Sequence, residues 1–346
     1  MLNVGAGMIT KLLLLLLVAG TVNSANGAFG QDQFYRGKLL RIMVGFPPGG
    51  GYDTYARLLA RHWGKHIPGN PTIAVDNMSG AGSMISANHM YKVAKPDGLT
   101  VGHFIGGLFL QQLLGKPGIE FDARNFEYVG APAQDVFIIG VSKASGVTSM
   151  QQWQAAKTAV KFGGAGFGAG TDDIPAMVRE VFGVPIQIVA GYKGTADIRL
   201  AFNNGEIHGI GNSWQSTRST WRNEMDSGQL NILLHVAFKS HPELTKYPLA
   251  GDLVKNEEAR KLMQAVTFAH GASVRPFVLP PNTPKERVQL LRKAFMDTLA
   301  DAEFVAEAKK GNIEINPVNG EDLAKSVLAV LQLESGLVGR LKDILK

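Results

Sequence analysis

Twice in this chain a short apolar stretch runs into a glycine-rich loop, an aspartate and a helical pattern. The first unit is Phe46-Pro47-Pro48-Gly49-Gly50-Gly51-Tyr52-Asp53, and the second runs from Phe162 through Gly163–Gly170 to Thr171 and Asp172. Glycine lets the backbone approach a ligand with no Cβ in the way. The helix that follows presents N–H groups without intrahelical partners and about half a positive charge. Each unit is therefore a candidate cradle for a carboxylate or phosphate. Two such units on separate lobes would face each other across a cleft.

The same rhythm recurs along the chain, as in an α/β protein. Leu39–Phe46 reads as a strand, with a helix from about Asp53 that Pro68-Gly69-Asn70-Pro71 stops. Thr72–Val75 is a second strand, and Ser79 to Ser83, with Gly80 and Gly82, opens a helix to about Lys92. Strands are expected at Leu99–Gly102, at Tyr128–Val141 with a break near Pro132, and at Ile186–Val189. Further strands fall at Glu206–Gly211, running into Asn212-Ser213-Trp214, and at Leu230–Phe238. The loop Gly191-Tyr192-Lys193-Gly194-Thr195 precedes a short helix, Ala196–Asn203. Thr283-Pro284-Lys285-Glu286 has the form of a capping box with proline at the first helical position. The final stretch carries an apolar stripe, Leu323, Val327, Leu331, Val338, Leu341 and Leu345, expected to pack against the body.

With 346 residues the chain is long enough for two domains, and 45% hydrophobic content excludes disorder. It has no cysteine, which excludes disulfides, thiolate metal sites and a cysteine nucleophile. A formal charge of +6 comes from scattered basic residues without a long run, so nucleic acid is not expected as a partner. At the N-terminus Lys11 precedes the apolar run Leu12–Ala19 and then small residues. That run is too short for a span, which takes about 20 residues. It fits a secretory signal peptide over residues 1–28, cleaved near residues 24–28, so the mature chain is expected to be exported.

Catalytic signatures fail. No G-x-S-x-G, H-E-x-x-H or phosphate-loop motif occurs, and neither a metal nor a cofactor is expected. Gly164-Ala165-Gly166-Phe167-Gly168-Ala169 matches G-x-G-x-x-A, but the next strand ends in Ala190-Gly191 where a dinucleotide site needs an acid. His62 and His66 have metal-ligand spacing but read as a solvated helix face. A wall of Tyr52, Phe167 and Tyr192 would favour an aromatic or long aliphatic acid.

These residues resemble the receptor proteins of tripartite tricarboxylate transporters, the Bug-type solute-binding proteins. The resemblance runs from about Lys38 to the C-terminal helix. Its most specific block is Val44 to Asp53 with Ala56-Arg57-Leu58, followed by Val75-Asp76-Asn77, Gly80–Ser83 and Lys95–Gly98. Tyr192-Lys193-Gly194-Thr195 with Gly205-Glu206, then His241–Leu244, complete it. It implies a two-lobed α/β periplasmic binding protein of type II topology, with the ligand in the interlobe cleft. The first lobe would be residues 29–130 and 239–346, the second 131–238. A small organic acid would be captured by lobe closure and delivered to a membrane permease of one large and one small subunit. The receptor would be a monomer and not an enzyme; a ligand-sensing partner of a membrane kinase is the alternative. The resemblance carries ligand contacts onto Pro48, Gly49, Gly50, Gly51, Tyr52 and Asp53, and onto Gly166, Phe167, Gly168, Ala169, Gly170, Thr171 and Asp172. Ser79, Gly82, Ser83, Tyr192, Lys193, Asn212 and Trp214 complete the expected site. Ala169 stands where relatives commonly have serine, Asn212-Ser213-Trp214 where an acid is common, and Tyr52 where a small residue is common.

Overall fold

The computed structural model describes residues 34–271 and 275–345; the expected signal peptide lies outside them. Two sheets carry the fold. The first has the order β11-β4-β10-β3-β1-β2, the second β7-β6-β8-β5-β9. Their strands are β1 (Leu39–Val44), β2 (Thr72–Asn77), β3 (Thr100–His103), β4 (Glu127–Ala131), β5 (Phe137–Ser142), β6 (Val160–Gly164), β7 (Ile186–Ala190), β8 (Gly209–Ser213), β9 (Leu230–Val236), β10 (Phe277–Leu279) and β11 (Val318–Asn319). The chain passes from one sheet to the other between β4 and β5 and returns after β9. The break expected near Pro132 is this crossing.

Neither sheet is purely parallel. β1 pairs in parallel with β2 (Leu39 opposite Thr72) and with β3, and β6 with β7 and β8. β10 and β5 run antiparallel to both their neighbours. Those are the strands on which the chain arrives from the other sheet, so their antiparallel pairing needs no parallel crossover within the sheet.

The helices that position the site are α1 (Gly51–Trp63), α2 (Met84–Lys92), α3 (Gly107–Leu113), α4 (Gly170–Phe182), α5 (Thr195–Asn203) and α6 (Trp214–Thr220). Those of the C-terminal third are α7 (Glu257–Gly271), α8 (Lys285–Ala300), α9 (Ala302–Lys310), α10 (Gly320–Leu331) and α11 (Ser335–Ile344). α1 begins two residues before the expected Asp53, because Gly50 adopts the extended N-cap conformation (φ −94°, ψ 174°). The capping box does not form. Thr283 turns its hydroxyl to the Pro280 carbonyl (2.8 Å), and Pro284 becomes the N-cap of α8. His62 and His66 are not a solvated face: they meet Glu307 (2.6 Å) and Asp301 (3.5 Å) and help tie α1 to α9.

Two apolar clusters form the core. One gathers the first sheet with Trp63, whose indole meets Phe277 and Phe295 edge-on. The other gathers Phe137, Trp153, Phe162 and Ile174 with Leu262, Met263 and Val266 of α7 and Leu341 of α11. Of the C-terminal stripe, Leu323, Val327, Leu341 and Leu345 are buried and Leu331 and Val338 half-buried, and the stripe is split by the break between α10 and α11.

Candidate functional site

Three strand-to-helix loops share one local device. In α1, α4 and α5 the third residue is aspartate, and its carboxylate reaches back to an N–H of the preceding loop. Asp53 accepts from Gly49 N (3.0 Å), Asp172 from Gly166 N (3.0 Å) and Asp197 from Lys193 N (3.3 Å). The N-caps Gly50, Ala169 and Gly194 supply no side-chain cap. The aspartates thus fix the loops, while the helix ends face elsewhere. All three face one cavity, lined by Gly50, Gly51 and Tyr52, by Ala169, Gly170 and Thr171, and by Gly194, Thr195 and Ala196. The start of α3 (Gly106, Gly107) and Ser213, which caps α6 through Ser216 N (3.2 Å), also line it. Convergent helix N-termini make a field that favours an anion.

The cavity leaves about 50 Å³ for the centre of a water-sized sphere, and Phe46, Ile105 and Phe137 give it apolar walls. At about 10–15 Å³ per water on that measure, three to five waters or a small solute fit. Among the described residues that line it none is aspartate or glutamate, and Arg275 is the one lysine or arginine.

Arg275 is 1% exposed. Its guanidinium lies over the rings of Tyr52 (5.1 Å) and Tyr55 (4.8 Å). Nη2 donates to Ser213 Oγ (3.1 Å) and sits 3.4 Å from Asp135 Oδ2, a fully buried partner. Nε and Nη1 have no hydrogen-bond partner among the described residues, and neither do Ser216 Oγ and Asn212 Nδ2. Burial raises the Asp135 carboxyl above its ordinary range, against the pull of Arg275. His270, also on the wall, meets Asp173 Oδ2 (3.0 Å), which Gln111 Nε2 approaches at the same distance. Behind Tyr52, burial lowers His103 to about 3, so that ring is neutral.

Of the residues expected at the site, the fold brings together Gly50, Gly51, Tyr52, Ala169, Gly170, Thr171 and Asn212 on this cavity. Asp53 lies outside its lining. Its carboxylate is taken by Gly49, Arg57 Nε (2.9 Å) and Asn77 Nδ2 (3.0 Å). Asp172 likewise serves its own loop. Pro48, Gly49, Ser79, Phe167 and Lys193 are exposed, and Tyr192 is half-buried off the cavity. Ser83 is fully buried and accepts from Ile105 N (3.1 Å). Gly82 is left-handed (φ 59°) and abuts Gly166 and the Phe167 carbonyl, while Gly168 abuts Gly107. Trp214 donates its indole N–H to Glu243 (2.8 Å) and does not line the cavity. The expected wall of Tyr52, Phe167 and Tyr192 is therefore not formed. Phe167 carries the Lys116 ammonium 3.0 Å over its ring, and Phe46 and Phe137 join Tyr52 instead.

Sequence reasoning missed Arg275, Ser213, Ser216, His270, Thr195 and the Gly106–Gly107 turn. Arg275 did leave a signal: a lone cation abutting the apolar run Phe277-Val278-Leu279. A charge is seldom carried into a core without a partner or a task.

Two α/β sheets joined by chain crossings, with an anion-attracting cavity between their loops, define a two-lobed solute-binding protein of the periplasmic type. The family model described as "Tripartite tricarboxylate transporter family receptor" matches residues 56–341, and the chain belongs to that family. Among solved structures it is similar to the periplasmic binding protein BugD (TM-score 0.73, 22% identity, covering 90% of this chain and 98% of that one). It is similar also to a Rhodopseudomonas palustris protein solved with adipate (TM-score 0.70, 20% identity, 88% and 97% covered). MatC from R. palustris, solved with bound malate, follows (TM-score 0.68, 18% identity, 89% and 99% covered). A search of curated protein sequences finds no match.

Proposed function

We propose that this chain is an exported, monomeric periplasmic receptor that captures a small organic carboxylate and delivers it to a membrane permease of one large and one small subunit. The carrying observation is the single cavity on which helix N-termini from both sheets converge, with one buried guanidinium and no carboxylate on its walls. The malate and adipate held by two structural neighbours support the ligand class. No helix among the described residues is long and apolar enough to cross a membrane.

Capture works by closure of two lobes, residues 29–130 with 239–346 against residues 131–238. Contacts between the two sets of loops support it: Gly50 at Thr195, Gly82 at Gly166, and Gly107 at Gly168. An anion bridging helix ends from both sides binds the closed arrangement better than the open one and so shifts the population. The closed form is what the permease recognises.

The test is thermal unfolding of the mature protein against a panel of mono-, di- and tricarboxylates. A ligand at 100 times its Kd adds about 2.7 kcal/mol of stability. No shift with any acid would overturn this reading.

A further inference from the structure

Each fully buried side-chain polar atom on the cavity wall that lacks a partner among the described residues belongs to a group able to donate a hydrogen bond. These are Nε and Nη1 of Arg275, Nδ2 of Asn212 and Oγ of Ser216, on side chains 1%, 4% and 3% exposed. The wall's acceptors are largely committed. Asn212 Oδ1 takes Ser213 N (3.0 Å), Ser213 Oγ takes Ser216 N and Arg275 Nη2, and Thr171 Oγ1 takes Ala165 N (3.1 Å) while donating to Asp172.

Arg275 is also placed to bind. A Cβ on Gly51 would come within 3.2 Å of Nη2 and 2.8 Å of Ser216 Oγ, so the glycine at the start of α1 is what brings that helix end up to the guanidinium. The two tyrosine rings and Asp135 hold its plane in position, lowering the ordering cost when a ligand arrives.

From this juxtaposition we infer that Arg275, with Ser216 and Asn212, is the specificity wall of the receptor. The ligand's carboxylate lies on the guanidinium, and the solute taken is a compact anion bearing acceptors only: a mono- or dicarboxylate, with or without a keto group. A zwitterionic amino acid is rejected, because its ammonium would be stripped of water against a wall that offers no carboxylate. This rests on the reading of the cavity as a carboxylate site and goes further, to the residue that reads the charge and the class refused.

The experiment is calorimetric titration of the purified receptor with matched sets: pyruvate and alanine, malonate and malonamide, succinate with aspartate and succinamide. Wild type is expected to bind an acid at least 100-fold more tightly than its amino or amide counterpart. Ser216→Ala should lose about tenfold for that acid. Arg275→Gln leaves Asp135 buried and alone, so the double variant Asp135→Asn with Arg275→Gln, which removes both charges of the pair, is measured beside it. In whichever of the two melts cooperatively, acid affinity should fall at least 100-fold while affinity for the amide stays within threefold, a change in ratio that loss of packing would not produce. Acid affinity within threefold of wild type in a folded Arg275 variant would overturn the assignment, as would an amino acid that binds as tightly as its matched acid. Either result leaves the carboxylate reading standing. Failure of wild type to bind any acid would instead sink that reading, and this inference with it.

Discussion

Gly107→Ala is a direct probe of whether approach of the two sets of loops belongs to the bound state. A Cβ at this position would lie 2.1 Å from the Gly168 carbonyl oxygen and 2.4 Å from His270 Cε1, where ordinary contact begins at 3.4 Å. The loop and α3 must therefore separate by about an ångström, and neither neighbour can yield cheaply: one is backbone, and the other is an imidazole held by Asp173. Overpacking of this kind costs about 1–3 kcal/mol. At 1.4 kcal/mol per tenfold, that is a loss of about 5- to 140-fold in affinity. The Gly168 clash belongs to closure, whereas the His270 clash lies within the first lobe and is present with or without ligand; Gly107 is helical, where alanine is the better residue, so the ligand-free protein should lose less stability than the bound one. Calorimetric titration with the tightest-binding acid, beside thermal melting without ligand, separates the two effects. Unchanged affinity would refute the closure argument. An equal loss of ligand-free stability would show that the contact exists whether or not a solute is bound.

Two further predictions concern the framework of the site. Burial pushes the Asp172 carboxyl up to about 7, against the pull of the Gly166 N–H. The folded state then holds the proton more tightly than the unfolded chain, whose carboxyl titrates near 3.9. The contribution of Asp172 to stability is greatest below about pH 4 and falls as pH rises to 7, by up to about 4 kcal/mol at 1.36 kcal/mol per unit. Asp172→Asn keeps an acceptor for Gly166 and should flatten this part of the urea-derived stability curve; a curve parallel to wild type would count against a buried, protonatable Asp172. A Cβ on Gly209 would lie 2.1–2.5 Å from three ring carbons of Phe162. Gly209→Ala should therefore cost about 1–3 kcal/mol in chemical denaturation, and an alanine variant as stable as wild type would mean the ring has room to move.

Asp53 and Asp172 show why identical local patterns acquire different electrostatics. Each is the third residue of its helix, and each accepts a loop N–H. Burial pushes both up, yet Asp53 ends below its ordinary value because Arg57 and Asn77 also donate to it. Asp172 has no cation beside it among the described residues and ends well above. The Asp53–Arg57 spacing is visible in the sequence as i, i+4; the solitude of Asp172 is visible only once its surroundings are assembled.

The glycine loops, the helices they open and the two-part α/β plan were legible because each is set by nearest neighbours: glycine's freedom, proline's stops, the period of apolar side chains. Local chemistry also made Asp53 and Asp172 stand out, although folding gave them loops to fix. What the chain order could not disclose was which groups would face the cavity. Arg275 lies more than two hundred residues from Gly51 and sixty from Ser213, and only the return of the chain into the first sheet at β10 sets the three side by side. Phe167 and Trp214 do not reach the cavity for the same reason. A side chain's direction depends on what packs behind it, and here Lys116 and Glu243 claimed those two rings.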